Sequence, residues 1–226
     1  MKKRKAIFFL PSAVLLLAFC IWTALVRTVD YNPVGPRDSF VGFSWLNLHF
    51  HNFTGTNFTL YTVTEWLGLV PIAVALAFAI LGLCQLISRR SIFKVDRSIV
   101  FMGIFYIAVI AFYVFFEYAT VNYRPVLIEG YLEASYPSST TLLVCTVMPA
   151  GAIELWQRVK SPVSRYIIAA VISVFTAFMV LGRIISGVHW ITDIVGGLLL
   201  SLSLVLAYFA LVYKLNGAEN TNSNKS

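Results

Sequence analysis

The chain has 226 residues, 59% of them hydrophobic and only 12% charged, with a mean hydropathy of +0.81. An ordinary soluble domain needs about twice that share of charge to hydrate its surface, so that class is excluded. The net charge of +7 does not point to a nucleic-acid partner, because the cations lie between apolar runs rather than on one basic face.

A helix crosses the hydrocarbon layer of a bilayer with about 20 apolar residues. Six stretches qualify, at about 6–26, 66–88, 98–119, 139–156, 166–185 and 192–213. The expected fold is all-α, an integral membrane bundle of six transmembrane helices. It occupies residues 1–215 as one domain and is followed by a polar, Asn-rich, disordered tail at 216–226. The first stretch has a charged start but a long apolar run with no small-residue cleavage site, so it reads as a span and not a removed leader. Pro149 lies inside the fourth span, which it is expected to kink without ending it. Three cysteines, Cys20, Cys84 and Cys145, all fall in apolar runs and make no disulfide framework.

The basic residues alternate with the spans. Lys2, Lys3, Arg4, Lys5, Arg89, Arg90, Lys94, Arg97, Arg158, Lys160, Arg165, Lys214 and Lys225 fall on one side, and only Arg27, Arg37, Arg124 and Arg183 on the other. The positive-inside rule makes the first side cytoplasmic, so both termini are expected there. The longest external segment, about 27–65, carries Trp45, Phe50, Phe53, Phe58 and Tyr61, aromatics suited to a membrane interface. Part of it is expected to lie flat as a short amphipathic helix. His49-x-His51 is too sparse for a metal site, and no cluster of His and carboxylates has ligand spacing, so no metal or other cofactor is expected.

Polar chemistry concentrates at the external ends of the spans, in three places. Asn122-Tyr123-Arg124-Pro125 follows the third span, Tyr136-Pro137-Ser138-Ser139-Thr140-Thr141 enters the fourth, and Gly182-Arg183-x5-His189-x3-Asp193 joins the fifth to the sixth. His189 and Asp193 are four residues apart and share a helix face. Asp193 is placed to accept from one ring nitrogen, leaving the other as a nucleophile. Arg124 and Arg183 are forks suited to phosphoryl oxygens. The Ser-Ser-Thr-Thr run reads as a helix start whose hydroxyls and free N–H groups form an anion site. Taken singly, an Arg at a span end is an interface anchor and a Ser-Thr run is a cap. Their joint occurrence on one side of the membrane outweighs those readings.

These residues resemble the motifs of the type-2 phosphatidic acid phosphatase/haloperoxidase superfamily, in its six-span lipid phosphatase branch. The family pattern is K-x6-R-P, then P-S-G-H, then S-R-x5-H-x3-D. This chain reads Glu117-x6-Arg124-Pro125, Pro137-Ser138-Ser139-Thr140 and Gly182-Arg183-x5-His189-x3-Asp193, all within 117–193. The resemblance implies a metal-independent hydrolase that removes phosphate from a lipid phosphate or polyprenyl diphosphate. His189 would form a phosphohistidine, with Asp193 orienting it. Arg124, Arg183, Ser138, Ser139 and Thr140 would hold the phosphoryl group. The implied setting is a bacterial plasma membrane, with the active site extracytoplasmic and membrane lipids as neighbours; carrier-lipid recycling such as that of undecaprenyl diphosphate fits it.

Three positions depart from the pattern: Glu117 stands for a lysine, Gly182 for a serine, and Thr140 for the histidine that acts as general acid. Threonine cannot donate a proton in that role, and general acid catalysis is worth about 10²–10⁴-fold. A phosphate leaving group, with a second pKa near 6, departs without such help, which favours a diphosphate substrate. Alternatively Glu117 or Glu133 serves as surrogate acid. A catalytically weakened or inactive relative that binds anionic lipid headgroups is the competing reading. The Gly196-Gly197 pair allows close helix approach, within or between chains, and leaves the oligomeric state open.

Overall fold

The computed structural model describes residues 9–223, with side chains as far as Tyr213. Lys2 to Lys5, the expected start of the first span at 6–8 and the last residues of the tail lie outside the described residues. The described chain is helical, with isolated β-bridges in its loops and no strands. Its helices are α1 (Leu10–Val26), α2 (Ser44–Thr54), α3 (Phe58–Leu67), α4 (Leu69–Arg89), α5 (Arg97–Tyr118), α6 (Ser139–Arg158), α7 (Pro162–Ser186) and α8 (Ile191–Ser223). Five are long and apolar enough to cross a membrane: α3 running into α4 as Phe58–Arg89, then α5, α6, α7 and α8. The sixth expected span, α1, is apolar but has 17 described residues.

The described backbone of α8 continues to Ser223, past the expected end of the bundle at 215. The external segment forms two short helices, α2 and α3, where one was expected. Helix α6 continues through Pro149, as anticipated.

Helices α6 and α8 form the centre. Half of the apolar stretch of each is buried inside the protein, against at most 22% in the other spans. Helix α6 packs on α4, α5, α7 and α8, and α8 also packs on α1 and α5. Phe19, Met102, Phe105, Leu142, Leu200 and Tyr208 meet in the main core. The outer helices turn Leu76, Ile80, Ile107, Val171 and Val174 outward, as lipid-facing positions require. Gly196 packs against the ring of Tyr136, so the glycine pair is used within the chain.

Polar residues gather at both ends of the bundle. At one end Asp96 accepts from Arg89 at 2.8 Å, Gln85 at 2.9 Å and Arg158 at 3.2 Å. Beside it Glu154, buried in the last turn of α6, accepts from Tyr208 at 2.9 Å and from Arg158 at 3.1 Å. All three motif segments lie at the opposite end. Arg27 and Arg37, expected there as interface anchors, reach loop carbonyls of Thr120 at 3.3 Å and Gly130 at 3.0 Å.

Local signals explain how the motif end is assembled. Ser161 caps α7 by accepting from Ser164 N–H at 3.3 Å, with Pro162 at the first helical position. The helix stops at Gly187, whose φ of 65° is the left-handed conformation that ends helices. The Gly55 carbonyl crosses Gly187 so closely that a Cβ there would lie 1.8 Å from its oxygen. Asn57 caps α3 through Leu60 N–H at 2.9 Å, and its own N–H donates to the Ser186 carbonyl at 2.9 Å. The turn between α2 and α3 is thereby fastened to the end of α7.

Helix α3 also lies directly against α7. A Cβ on Gly182 would extend its packing to 2.6 Å from Thr64 Cγ2, so the missing side chain at 182 is what lets the two helices approach. Gly182→Ser is expected to push α3 outward and to destabilise the protein by about 1–3 kcal/mol. Adding Thr64→Ala, which removes the obstructing methyl, should recover most of the loss, as read by thermal unfolding in detergent micelles.

Candidate active site

His189 occupies the four-residue connection between α7 and α8 and is 5% exposed. Its Nε2 lies 3.2 Å from an Nη of Arg124. Nδ1 is buried 3.7 Å from Asp193 Oδ2, and the Ser135 backbone carbonyl lies close to the ring. Burial, then the charges of Arg124 and Arg183, hold the imidazole well below its ordinary pKa. A neutral ring with a guanidinium at Nε2 carries its lone pair there and its proton on Nδ1.

The expected tight Asp193–His189 hydrogen bond is replaced by a looser arrangement. Asp193 Oδ2 accepts instead from Trp190 N–H at 3.0 Å, and Oδ1 from Asn122 Nδ2 at 3.2 Å. The carboxylate thus caps its own helix start, where the dipole favours an anion, and ties Asn122 into the site. Its influence on the imidazole is electrostatic, across a few ångströms.

Several buried polar groups hold this corner together. Asn47 on α2 donates to Thr192 Oγ1 at 3.0 Å and accepts from Thr192 N–H at 3.3 Å. Trp22 on α1 reaches the Thr192 carbonyl at 3.1 Å, and Trp190 reaches the Tyr123 carbonyl at 2.7 Å. Ser138 N–H donates to the Asp193 carbonyl at 3.1 Å, joining the starts of α6 and α8. Ser135 N–H donates to the Asn122 carbonyl at 2.9 Å. The three motif segments are therefore one hydrogen-bonded unit.

Arg183 is 1% exposed and projects from the last turn of α7. One Nη contacts both Thr140 Oγ1 and a carboxylate oxygen of Glu65. Its Nε and other Nη are buried without hydrogen-bond partners. Arg124 pairs through Nε with Glu133 at 3.0 Å. Both guanidinium carbons lie over the Tyr61 ring, Arg183 at 5.0 Å and Arg124 at 5.8 Å from its centre. The two cations thus converge on one aromatic ring, an arrangement that favours them electrostatically.

The remaining expected residues divide. Thr140 stands on Arg183. Ser138 is fully buried, and its hydroxyl accepts from Thr141 at 3.1 Å instead of capping α6. The first-turn amides of α6 are consequently free of any side-chain cap. Ser139 is half-buried and lines a narrow cleft with Glu117, Ser135 and Tyr136. Glu117 is exposed and lines the same cleft. Glu133 sits on the rim, its side chain 41% exposed.

Two residues in the site were not among those expected from sequence, Glu65 and Tyr61, both on α3. Tyr61 reads in sequence as one of many interface aromatics. Glu65 had a signal, being the only acidic residue between Asp38 and Asp96, at the threshold of a strongly apolar run.

Among solved structures, the fold is similar to that of the transmembrane PAP2-type phosphatidylglycerolphosphate phosphatase from Bacillus subtilis. The two share 18% identity with a TM-score of 0.58 over 90% of this chain and 96% of that one. No curated protein matches the sequence. The PAP2 superfamily model matches residues 72–216, which take in most of α4, all of α5 to α7, every motif position and α8 as far as Asn216. With that match spanning more than half of its length, this integral membrane chain belongs to the PAP2 superfamily.

Proposed function

We propose that the protein is a membrane lipid phosphatase that removes phosphate from a lipid phosphate or polyprenyl diphosphate through a phosphohistidine on His189. The observation that carries this reading is a buried neutral imidazole between two buried guanidinium groups, one of which has N–H donors without partners. Buried donors left unpaired are costly and favour a ligand that satisfies them. A phosphoryl group supplies the oxygens and the negative charge.

In the first half-reaction His189 Nε2 attacks phosphorus and the leaving oxygen departs with its electron pair. The nucleophile needs no deprotonation, because the ring is already neutral. Arg124 and Arg183 hold the equatorial oxygens, helped by the uncapped amides at the start of α6. The positive charge the transition state requires comes from guanidinium groups, so the reaction is proposed to need no metal. Asp193 and the Ser135 carbonyl stabilise the Nδ1 proton as positive charge grows on the ring. Water then cleaves the P–N bond.

The proposed topology has six spans, α1 included, with both termini cytoplasmic and the site extracytoplasmic, in a bacterial plasma membrane. The distribution of basic residues supports it, since the site end holds Arg27, Arg37, Arg124 and Arg183 while Arg89, Arg90, Arg97, Arg158 and Arg165 lie at the other.

Thr140 occupies the general-acid position and cannot protonate a leaving alkoxide. Glu117 is exposed beside Ser139, and Glu133 is engaged by Arg124. A leaving group that is itself a phosphate avoids the difficulty. Purified protein is therefore expected to release phosphate faster from a polyprenyl diphosphate than from phosphatidic acid, by about 10²-fold if the whole acid contribution is missing. Faster turnover of phosphatidic acid would overturn that preference.

His189→Ala should reduce turnover to background while leaving the protein folded. Retained turnover in that variant would refute the covalent mechanism, whereas anionic-lipid binding without turnover in the wild type would identify a binding protein. The depressed imidazole pKa sets the sign of the pH dependence. Protonation removes the nucleophile only at acidities well beyond the ordinary histidine range, so the acid limb of kcat/KM should fall below about pH 6.5.

A further inference from the structure

We propose that the Glu65 carboxylate is the general base that takes a proton from the water that hydrolyses the phosphohistidine. This inference rests on the phosphohistidine reading above and adds to it a residue on α3, outside the segment that the family model matches.

Geometry places the carboxylate at the phosphoryl site. Glu65 and Thr140 contact the same Nη of Arg183, the guanidinium proposed to hold the phosphoryl oxygens. The close approach of α3 to α7 that Gly182 permits brings it there, because Thr64 rests against that glycine. Two departures from the family motifs thus surround one carboxylate: a small side chain at 140 leaves room beside Arg183, and no side chain at 182 lets α3 descend.

The chemistry selects a base rather than an acid. A carboxylate paired with a guanidinium is an acceptor of protons, and Thr140 can accept none at neutral pH. The Glu65 side chain is 54% exposed while that of Arg183 is 1% exposed, so the carboxylate spans the boundary between buried cation and water. Glu133 also pairs with an arginine, but through Nε of Arg124 and not the Nη that meets the imidazole. In the step itself, water oxygen bonds to phosphorus while its proton passes to Glu65. The P–N bond breaks, its electron pair returns to His189 Nε2, inorganic phosphate leaves, and Glu65 releases the proton to solvent.

The test uses the full chain in detergent micelles with a polyprenyl diphosphate labelled in its terminal phosphate. Glu65→Gln, which keeps the shape of the side chain, is expected to lower kcat by about 10²-fold or more. It should still release about one equivalent of polyprenyl monophosphate per protein in a burst, since the first half-reaction needs no base. The label should then stay on the protein as an acid-labile, base-stable adduct, and adding His189→Ala should abolish it. Turnover of Glu65→Gln within about threefold of wild type would overturn the proposal, being far less than a general base contributes. So would lost turnover without a retained label, which would mean that Glu65 serves the first step by positioning Arg183. Turnover by His189→Ala alone would overturn the phosphohistidine reading itself, a failure visible before Glu65 is changed.

Discussion

A cation withdrawn from water at the end of an apolar bundle is the constraint from which the rest of the site follows. Burying an ion costs several kcal/mol unless charge and hydrogen bonds are supplied around it. Arg183 receives a carboxylate from α3, a hydroxyl from α6 and an aromatic face from Tyr61, yet two of its nitrogens remain unsatisfied. Arg124 repeats the arrangement with Glu133 and the same ring. The imidazole between them is neutral for the same reason, since two positive charges and burial all oppose a third charge. The arrangement that favours an anion thus also keeps the imidazole uncharged, as the proposed mechanism requires.

Holding like charges close requires a stiff frame, and the bundle provides it at the ends of its two central helices. The starts of α6 and α8 are joined through the Ser138 amide and Asp193 carbonyl, and the connection bearing His189 has only four residues. Helix α2 contributes Asn47 and α1 contributes Trp22 to the same corner. Residues far apart in sequence therefore fix one backbone position. Asp193 has become part of that frame: its oxygens serve Trp190 and Asn122 more closely than they serve the imidazole.

How much of this was legible in the sequence depended on the range of the interaction. Span positions follow from apolar length alone, a local property, and five of the expected stretches fall in helices long and apolar enough to cross a membrane. The convergence of Arg124, Arg183 and His189 was legible because all three lie at span ends on one side, as the alternation of charge required. The role of Asp193 was less so: its spacing from His189 fits a direct hydrogen bond, but the same spacing fits a helix cap, and only the fold decides between them. Ser139 and Thr140 face different neighbours because a helix start presents successive residues in different directions. Glu65 escaped because its partner is 118 residues away, beyond any motif, and its packing depends on the absence of a side chain at 182.

The helix that carries Glu65 and Tyr61 over the cations is also a lipid-facing span. Phe58–Arg89 has 32 residues, about 48 Å at about 1.5 Å per residue, whereas the hydrocarbon core is about 30 Å thick. Such an excess is accommodated by tilting or by standing proud of the acyl chains. His189 and Arg183 are anchored elsewhere, in the frame of α6, α7 and α8. Membrane thickness and the proposed reacting centre are therefore mechanically linked: any rotation of this long rod against the bundle moves a carboxylate and an aromatic ring across fixed guanidinium groups.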